Sequence, residues 1–268
     1  MFRPVAIISI ALCALGCATT LVRGTPKNAE DQYTQAMEDL KDGLYPEAVT
    51  GFTDLKTKYP YSKLAALADL RIADTNYERG KFVEAIDGYR AFLKYHPSHE
   101  EAAYAMFRIG EAYAEQIPSD WWFLPPSSEK DQGNTRLAIS AYRDFLARYG
   151  DSKHAADGRK RLDECRAKLA EHELYVASFY FKRGRFAAAA ARADGLVRDY
   201  PGLGLDRDAL LISMRAHAKT GANEPAAAAA ARLQKDFPNT SEAREAADFM
   251  QPRSANNTPP PPAAADGT

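Results

Sequence analysis

Apolar residues recur every three to four positions through most of the chain between residues 28 and 250. This spacing gathers them on one side of an α-helix. Short breaks that contain Gly or Pro divide the pattern into helical stretches of similar length. The pattern predicts an all-α protein built of evenly spaced helices.

Four stretches of the chain share one pattern: a glycine, an alanine five positions later and a proline 17 positions after the glycine. These stretches are residues 43–60, 80–97, 184–201 and 221–238. A fifth copy at residues 135–150 keeps Ala138 and Tyr142 and has Gly150 where the proline would be. The chain therefore contains an internal repeat.

This repeat resembles the tetratricopeptide pattern of paired helices. Small residues let two helices approach closely, an aromatic residue four positions later fills the space beyond them, and proline ends the second helix. The first-helix signature is intact at residues 109–113, IGEAY. The sequence predicts a superhelical array of about five helix hairpins, in which Ala85 and Gly110 lie at helix crossings.

The spacing fails in the middle of the chain. Sixteen additional residues between Gly110 and Ala138 predict a loop insertion at residues 118–133, inside the third repeat. This insertion holds Trp121 and Trp122, the two tryptophans of the chain. They either cover the neighbouring helix or form a knob that faces a partner or the membrane, since aromatic side chains suit interfaces.

A further 14 residues lie within residues 153–184, where helical periodicity continues without proline. We expect one helix of about 30 residues there, against a mean of about 12 in globular proteins. The resulting division is repeats one to three at residues 28–150 and repeats four and five, with a capping helix, at residues 151–250. The tail at residues 251–268 is rich in Pro, Ala and Asn and is expected to be disordered.

The N-terminus has the features of an export sequence. Its apolar run at residues 5–15 is shorter than the ~20 residues that span a bilayer. The run leads into Leu-Gly-Cys at Cys17, which resembles the bacterial lipobox. We expect a signal peptide at residues 1–16, acylation of Cys17 and a tether at residues 17–27; an ordinary signal peptide with an incidental cysteine is the alternative. Acyl chains would anchor the protein to a membrane, and Ala18 favours the outer membrane.

Composition and motifs give no indication of catalysis. The formal net charge is −1, without the basic clustering that nucleic-acid binding needs. The five histidines lack metal-ligand spacing, and neither a Gly-rich phosphate loop nor a Ser/His/Asp order is present. Cys165 is the single cysteine that remains after processing, so no internal disulfide is expected. We predict a binding protein that has no catalytic or metal-binding residues and no cofactor.

Tetratricopeptide arrays bind peptides or partner domains in the groove lined by the first helix of each repeat. Helical counting along these helices predicts a set of groove-facing residues that combines aromatic rings with both charges. The set is Tyr33, Met37, Arg71, Asp74, Tyr77, Tyr104, Arg108 and Glu111. Such a surface fits an apolar, aromatic peptide with some charge; alternatively, several of these residues pack between repeats.

Three stretches resemble the BamD family of outer-membrane assembly lipoproteins: residues 96–110, 169–192 and 198–201. The resemblance extends over about residues 28 to 240, and it includes the lipobox, the five-copy layout, the interrupted third repeat and the extended fourth. The short turn at residues 59–62, the insertion and the proline-rich tail depart from the family pattern.

This resemblance implies a non-catalytic lipoprotein on the periplasmic face of the outer membrane. Its ligands would be the aromatic C-terminal strands of unfolded outer-membrane proteins. Its partners would be other assembly lipoproteins and the periplasmic domains of a BamA-type barrel insertase, with Arg183, Arg192 and Arg198 as candidate contacts. Another envelope scaffold lipoprotein, in peptidoglycan coordination or pilus biogenesis, is the alternative.

Overall fold

The computed structural model describes residues 25–118 and 126–251, and the regular structure within these ranges is entirely helical. The all-α fold class is confirmed. One 3₁₀ turn, Ser127–Glu129, accompanies eleven α-helices. They are α1 (Ala29–Lys41), α2 (Tyr45–Lys58), α3 (Lys63–Glu78), α4 (Phe82–Tyr95), α5 (Ala102–Ala114), α6 (Gly133–Tyr149), α7 (Ala155–Lys182), α8 (Phe186–Asp199), α9 (Asp206–Thr220), α10 (Asn223–Asp236) and α11 (Ser241–Met250).

Consecutive helices pack against each other along the whole order, so the chain forms five hairpins from α1/α2 to α9/α10, and α11 covers the end. Four of the hairpins turn at the glycine that opens the sequence repeat. Gly43, Gly80, Gly184 and Gly221 have φ values of +76°, +71°, +70° and +77°. Side chains rarely adopt this left-handed region, which explains the recurring glycine.

Helix crossings occur at the small residues of the repeat. The repeat alanine is fully buried in every hairpin, at Ala48, Ala85, Ala138, Ala189 and Ala226. Four positions later, the first three hairpins bury Phe52, Tyr89 and Tyr142, whereas the last two bury Ala193 and Ala230. The core is therefore a series of local clusters between neighbouring hairpins, as expected for a stacked array.

Gly110 on α5 lies at one of these helix crossings. A Cβ atom there would be 2.6 Å from Cε1 of Tyr142, whose ring is fully buried. Gly110 therefore leaves the space that this ring occupies. The position of Gly110 at a helix crossing, predicted from the sequence, is confirmed.

The C-terminal end of the insertion is fixed to α7, a helix of 28 residues. Nδ1 of His172 donates to the Ser128 carbonyl oxygen at 2.6 Å. Nε2 of Gln132 donates to the Ser127 carbonyl oxygen at 2.8 Å, and Oγ1 of Thr135 donates to Oε1 of Gln132 at 2.8 Å. Trp121 and Trp122 lie outside the described residues.

The helix α7 contacts α6, α8, α9 and the 3₁₀ turn. It therefore joins the first three hairpins to the last two. Across the two described ranges, we find no helix with the length and hydropathy needed to cross a membrane.

Replacing Gly110 with Ala is expected to destabilise the protein by about 1–3 kcal/mol, because the added methyl group overlaps Tyr142 in a full core. Gly195→Ala is the matched control. Gly195 also lies inside a helix, but a new Cβ there would meet the flexible end of the Arg198 side chain at 3.8 Å, an ordinary contact distance. This control should gain up to about 1 kcal/mol from helix propensity. Urea unfolding followed by circular dichroism measures both, and equal effects would contradict the close packing at Gly110.

Candidate functional site

The concave side of the first three repeats holds a pocket of about 660 Å³. Its walls come from α1, α3 and α5, the first helices of these repeats, and from the start of α2. The lining residues are Thr34, Met37, Glu38, Leu40, Lys41, Tyr45, Arg71, Asp74, Glu78, Tyr104 and Arg108. We call this the concave pocket.

The carboxylate of Asp74 is the centre of the pocket wall, and Asp74 is only 6% exposed. Its Oδ1 accepts hydrogen bonds from the hydroxyls of Tyr89 at 2.7 Å and Tyr104 at 3.0 Å. Its Oδ2 accepts from Nη1 of Arg71 at 2.5 Å. A buried carboxylate is costly unless it is paired and hydrogen-bonded, and these three donors from α3, α4 and α5 meet that requirement.

The guanidinium group of Arg108 packs on this network. It lies 3.6 Å from the ring centroid of Tyr77 and donates from Nε to the Tyr89 hydroxyl at 3.2 Å. Its Nη2 is 3.3 Å from Oε1 of Glu78. Stacking on a ring and several directed hydrogen bonds hold the planar group in one orientation.

The pKa values of the arginines and tyrosines in this network are raised, so these groups stay protonated at neutral pH. Burial alone would lower the pKa of Arg71, but attraction to Asp74 and the hydrogen bond that Arg71 donates to Tyr33 outweigh it and raise that pKa. Burial, followed by the charge of Asp74, raises the pKa of Tyr89 and of Tyr104, so both hydroxyls stay protonated and donate. Burial also raises the pKa of Tyr77 to about 12. The pocket wall is thus a fixed binding surface at neutral pH.

Charges of both signs are balanced around the pocket. Three acidic and three basic side chains line it: Glu38, Asp74, Glu78, Lys41, Arg71 and Arg108. Apolar contact comes from Met37, Leu40, Tyr45 and Tyr104. A surface of this kind suits an apolar or aromatic segment that carries few charges.

Five of the eight predicted groove residues line the pocket: Met37, Arg71, Asp74, Tyr104 and Arg108. Two of the other three, Tyr33 and Tyr77, pack beside it. Tyr33 accepts from Nε of Arg71 at 3.2 Å and makes an edge contact with Phe52. Tyr77 lies beneath Arg108, and its ring centroid is 5.4 Å from that of Phe82.

Glu111 belongs to a separate cluster that joins α5, α6 and α7. Its Oε1 accepts from the Tyr142 hydroxyl at 2.6 Å and is 3.2 Å from Nε of Arg161. Burial and then Glu111 raise the pKa of Tyr142, so its hydroxyl remains a donor. Glu111 therefore links repeats three and four through these contacts and does not line the pocket.

Sequence reasoning missed several pocket residues. Thr34 and Lys41 lie three and four positions from Met37 on α1, and Glu38 lies four positions from Thr34, so extending the helical count could have found all three. Tyr45 is on α2, so counting along first helices could not find it. Tyr89 has its ring in the core, and only the fold shows that its hydroxyl reaches Asp74.

The three arginines predicted as partner contacts are not assembled into one site. Nη1 of Arg192 is 2.9 Å from Oε2 of Glu173. Arg183 lies over the exposed ring of Phe179, 5.0 Å from its centroid. Arg198, whose side chain is 73% exposed, pairs with the adjacent Asp199. Cys17, like the two tryptophans, lies outside the described residues.

The described ranges contain no group of three or more His, Cys, Asp or Glu side chains that could hold a metal ion. Cys165 is buried, and burial raises its pKa to about 11. Its thiol is therefore protonated at neutral pH, which is unfavourable for a nucleophile.

Tyr89→Phe is expected to lower the free energy of unfolding by about 1–2 kcal/mol, because it removes one donor from the buried carboxylate of Asp74 and one acceptor from Arg108. Tyr113→Phe is the control, since that hydroxyl accepts from the exposed Arg90; it should change stability by less than about 0.5 kcal/mol. Chemical denaturation measures both free energies of unfolding. An unchanged free energy in Tyr89→Phe would contradict the proposed stabilising role of the network.

Comparison with known proteins gives one family. The model of the YfiO family, described as outer membrane lipoprotein, matches residues 25–233. The outer membrane protein assembly factor BamD of Neisseria meningitidis serogroup A is 28% identical over 249 residues, covering 87% of this chain and 90% of that protein. BamD of Xylella fastidiosa strain Temecula1 is 28% identical and covers 89% of this chain and 84% of that protein. BamD of Caulobacter vibrioides is 27% identical and covers 87% of this chain and 75% of that protein.

Among solved structures, the TPR2AB domain of yeast Sti1 in complex with pHSP90 has a TM-score of 0.42 at 16% identity and covers 81% of both chains. PilF of Pseudomonas aeruginosa has a TM-score of 0.37 at 13% identity and covers 82% of both. Both scores are low, so neither protein informs the function of this chain. The family match covers more than half of the sequence, and the resemblance to BamD is confirmed. The chain belongs to the YfiO family of outer membrane lipoproteins.

Proposed function

We propose that this protein is a non-catalytic, lipid-anchored component of the machinery that assembles outer-membrane β-barrel proteins. Its BamD relatives are named as assembly factors for outer membrane proteins. The observation that carries the proposal is the concave pocket, a fixed surface of aromatic rings and balanced charges on the first three repeats.

The ligand that fits this pocket best is an extended, apolar segment that ends in an aromatic residue, such as the C-terminus of an unfolded barrel protein. Met37, Leu40 and Tyr45 offer apolar contact for its side chains. Arg71 is already paired with the carboxylate of Asp74. The terminal carboxylate of the ligand is therefore best placed near the exposed ammonium group of Lys41 on the pocket rim. A pocket of 660 Å³ has room for only a few side chains.

The C-terminal repeats are the proposed docking region for the barrel insertase. Arg198 supports this: its side chain is 73% exposed and, among the described residues, its ion pair is with the adjacent Asp199, so the guanidinium group can pair with a carboxylate on another protein. Arg183 lies at the end of α7, beside the exposed Phe179. Arg192 has Glu173 as an internal partner and is the weakest of the three candidates.

Acylation of Cys17 would keep these surfaces near the membrane. From Cys17 to Asn28, which caps α1, the chain can reach at most about 40 Å at ~3.6 Å per residue. The concave pocket would then operate within a few tens of ångströms of the bilayer, close to where barrel proteins insert. In the same proposal, Trp121 and Trp122 contact a partner or the membrane.

Lys41→Glu should weaken binding of a fluorescein-labelled peptide with a C-terminal Phe by about tenfold, because it removes a charge-assisted contact and adds repulsion. Fluorescence anisotropy with the detergent-solubilised chain measures the affinity. Lys63→Glu makes the same charge change on an exposed residue outside the pocket and should leave binding unchanged. Equal affinities of both variants would contradict binding in the concave pocket.

Arg198→Glu should reduce the recovery of a barrel insertase with the affinity-tagged protein by at least about fivefold, since it replaces an attractive charge at an interface with a repulsive one. Arg244→Glu, on the exposed side of α11, is the control. The co-purified proteins are identified by mass spectrometry. Recovery of peptidoglycan-binding or pilus proteins without an insertase would favour the alternative envelope scaffold.

A further inference from the structure

The outer face of repeats two and three carries a second concavity, between α4 and α6 with α5 beneath it. It has a volume of about 270 Å³. An adjoining depression of about 480 Å³ shares Met106, Asp144 and Arg148 with it, so the two form one continuous groove. The apolar lining consists of Leu93, Met106, Ile109, Tyr113, Leu137 and Ala141. We call it the outer groove.

The helix α5 separates this groove from the concave pocket. Tyr104 and Arg108 are four residues apart and line the pocket. Met106, Ile109 and Tyr113 project from the other side of α5 and line the groove. The two surfaces therefore open on opposite faces of the protein, and a ligand of one does not occupy the other.

One side of α6 faces the outer groove, and no element within residues 25–118 and 126–251 covers it. Leu137, Ala141, Asp144 and Arg148 follow each other at steps of four, three and four residues, so they form one stripe. The opposite side of α6 is the one that packs into the core. Leu137, the first residue of this stripe, is 46% exposed. The stripe extends for ~16 Å at 1.5 Å per residue.

Two arginines border the apolar floor. Nη2 of Arg90 donates to the Tyr113 hydroxyl at 2.8 Å, so the guanidinium group is held over the groove. Arg148 lies towards the C-terminal end of α6. Within the described ranges, neither has a carboxylate within ion-pair distance, in contrast to the paired Arg71 and Arg108 of the concave pocket. With Asp144 the groove holds two basic groups and one acidic group, an excess of positive charge.

We propose that the outer groove binds an extended segment of a partner protein in which apolar side chains are flanked by carboxylates. A length of ~16 Å accommodates about five extended residues at ~3.3 Å each. The apolar floor would bury the central side chains, and Arg90 and Arg148 would pair with the flanking carboxylates. This binding is independent of the function proposed for the concave pocket.

The test uses the detergent-solubilised full chain and a fluorescein-labelled peptide, Gly-Glu-Leu-Phe-Leu-Asp-Gly, with an amidated C-terminus that excludes recognition of a terminal carboxylate. The matched peptide carries Gln and Asn in place of Glu and Asp. Fluorescence anisotropy should give an affinity at least about tenfold higher for the acidic peptide, the difference expected from one or two charge-assisted contacts.

Variants locate the binding. Arg148→Gln and Leu137→Ser should each weaken binding of the acidic peptide by about fivefold or more. Arg143→Gln, an exposed arginine on α6 outside the groove, and Lys41→Glu in the concave pocket should leave it unchanged. Leu137 is 46% exposed and lies outside the buried core, so Leu137→Ser should unfold within a few degrees of the unmodified protein.

Three results would overturn the proposal. The first is equal affinity for the acidic and the neutral peptide. The second is loss of binding in Lys41→Glu, which would assign the peptide to the concave pocket and leave the proposed function of that pocket standing. The third is concentration-dependent dimerisation that Leu137→Ser abolishes, measured by sedimentation velocity, because the groove would then be occupied by a second copy of this chain.

Discussion

Close approach of helices at small residues is the constraint on which the rest of the structure depends. Each hairpin buries an alanine at its crossing, and α5 provides Gly110 where the ring of Tyr142 needs the space of a missing Cβ. The small residues occupy one side of each first helix, where it packs against its neighbours. The other side of that helix is then available to line a surface. Side chains on three successive first helices then meet across short distances, and the buried Asp74 obtains donors from two neighbouring helices as well as its own.

The two concave regions of the N-terminal half differ in how their charges are used. In the concave pocket, Asp74 and Glu78 neutralise Arg71 and Arg108, so these cations serve mainly to fix the shape of the wall. In the outer groove, an arginine held by a tyrosine hydroxyl has no carboxylate partner among the described residues. The first arrangement suits recognition by shape and apolar contact, and the second suits recognition by charge.

The fold was predictable from the sequence because it depends on local patterns: helical periodicity, the small residue in register and the glycine turn. The site was only partly predictable, since it depends on contacts between distant residues. Glu111 has the spacing of a groove residue. However, the ring of Tyr142 occupies the crossing at Gly110, and its hydroxyl donates to Glu111, so this carboxylate lies between the repeats and not in the groove. Tyr45 enters the pocket from a second helix, which no periodicity of first helices contains.

The length of α7 has a mechanical consequence. A helix of 28 residues extends for ~42 Å as a single stiff rod. Near its start Arg161 pairs with Glu111 of α5, and near its end the same helix packs on α8 and α9. In most repeat arrays a disturbance fades from one unit to the next, because each unit contacts only its neighbours. The contacts of α7 also reach only the neighbouring repeats, but one rigid helix makes them on both sides, so a displacement of the last hairpin can reach α5, which lines the concave pocket, through a single element.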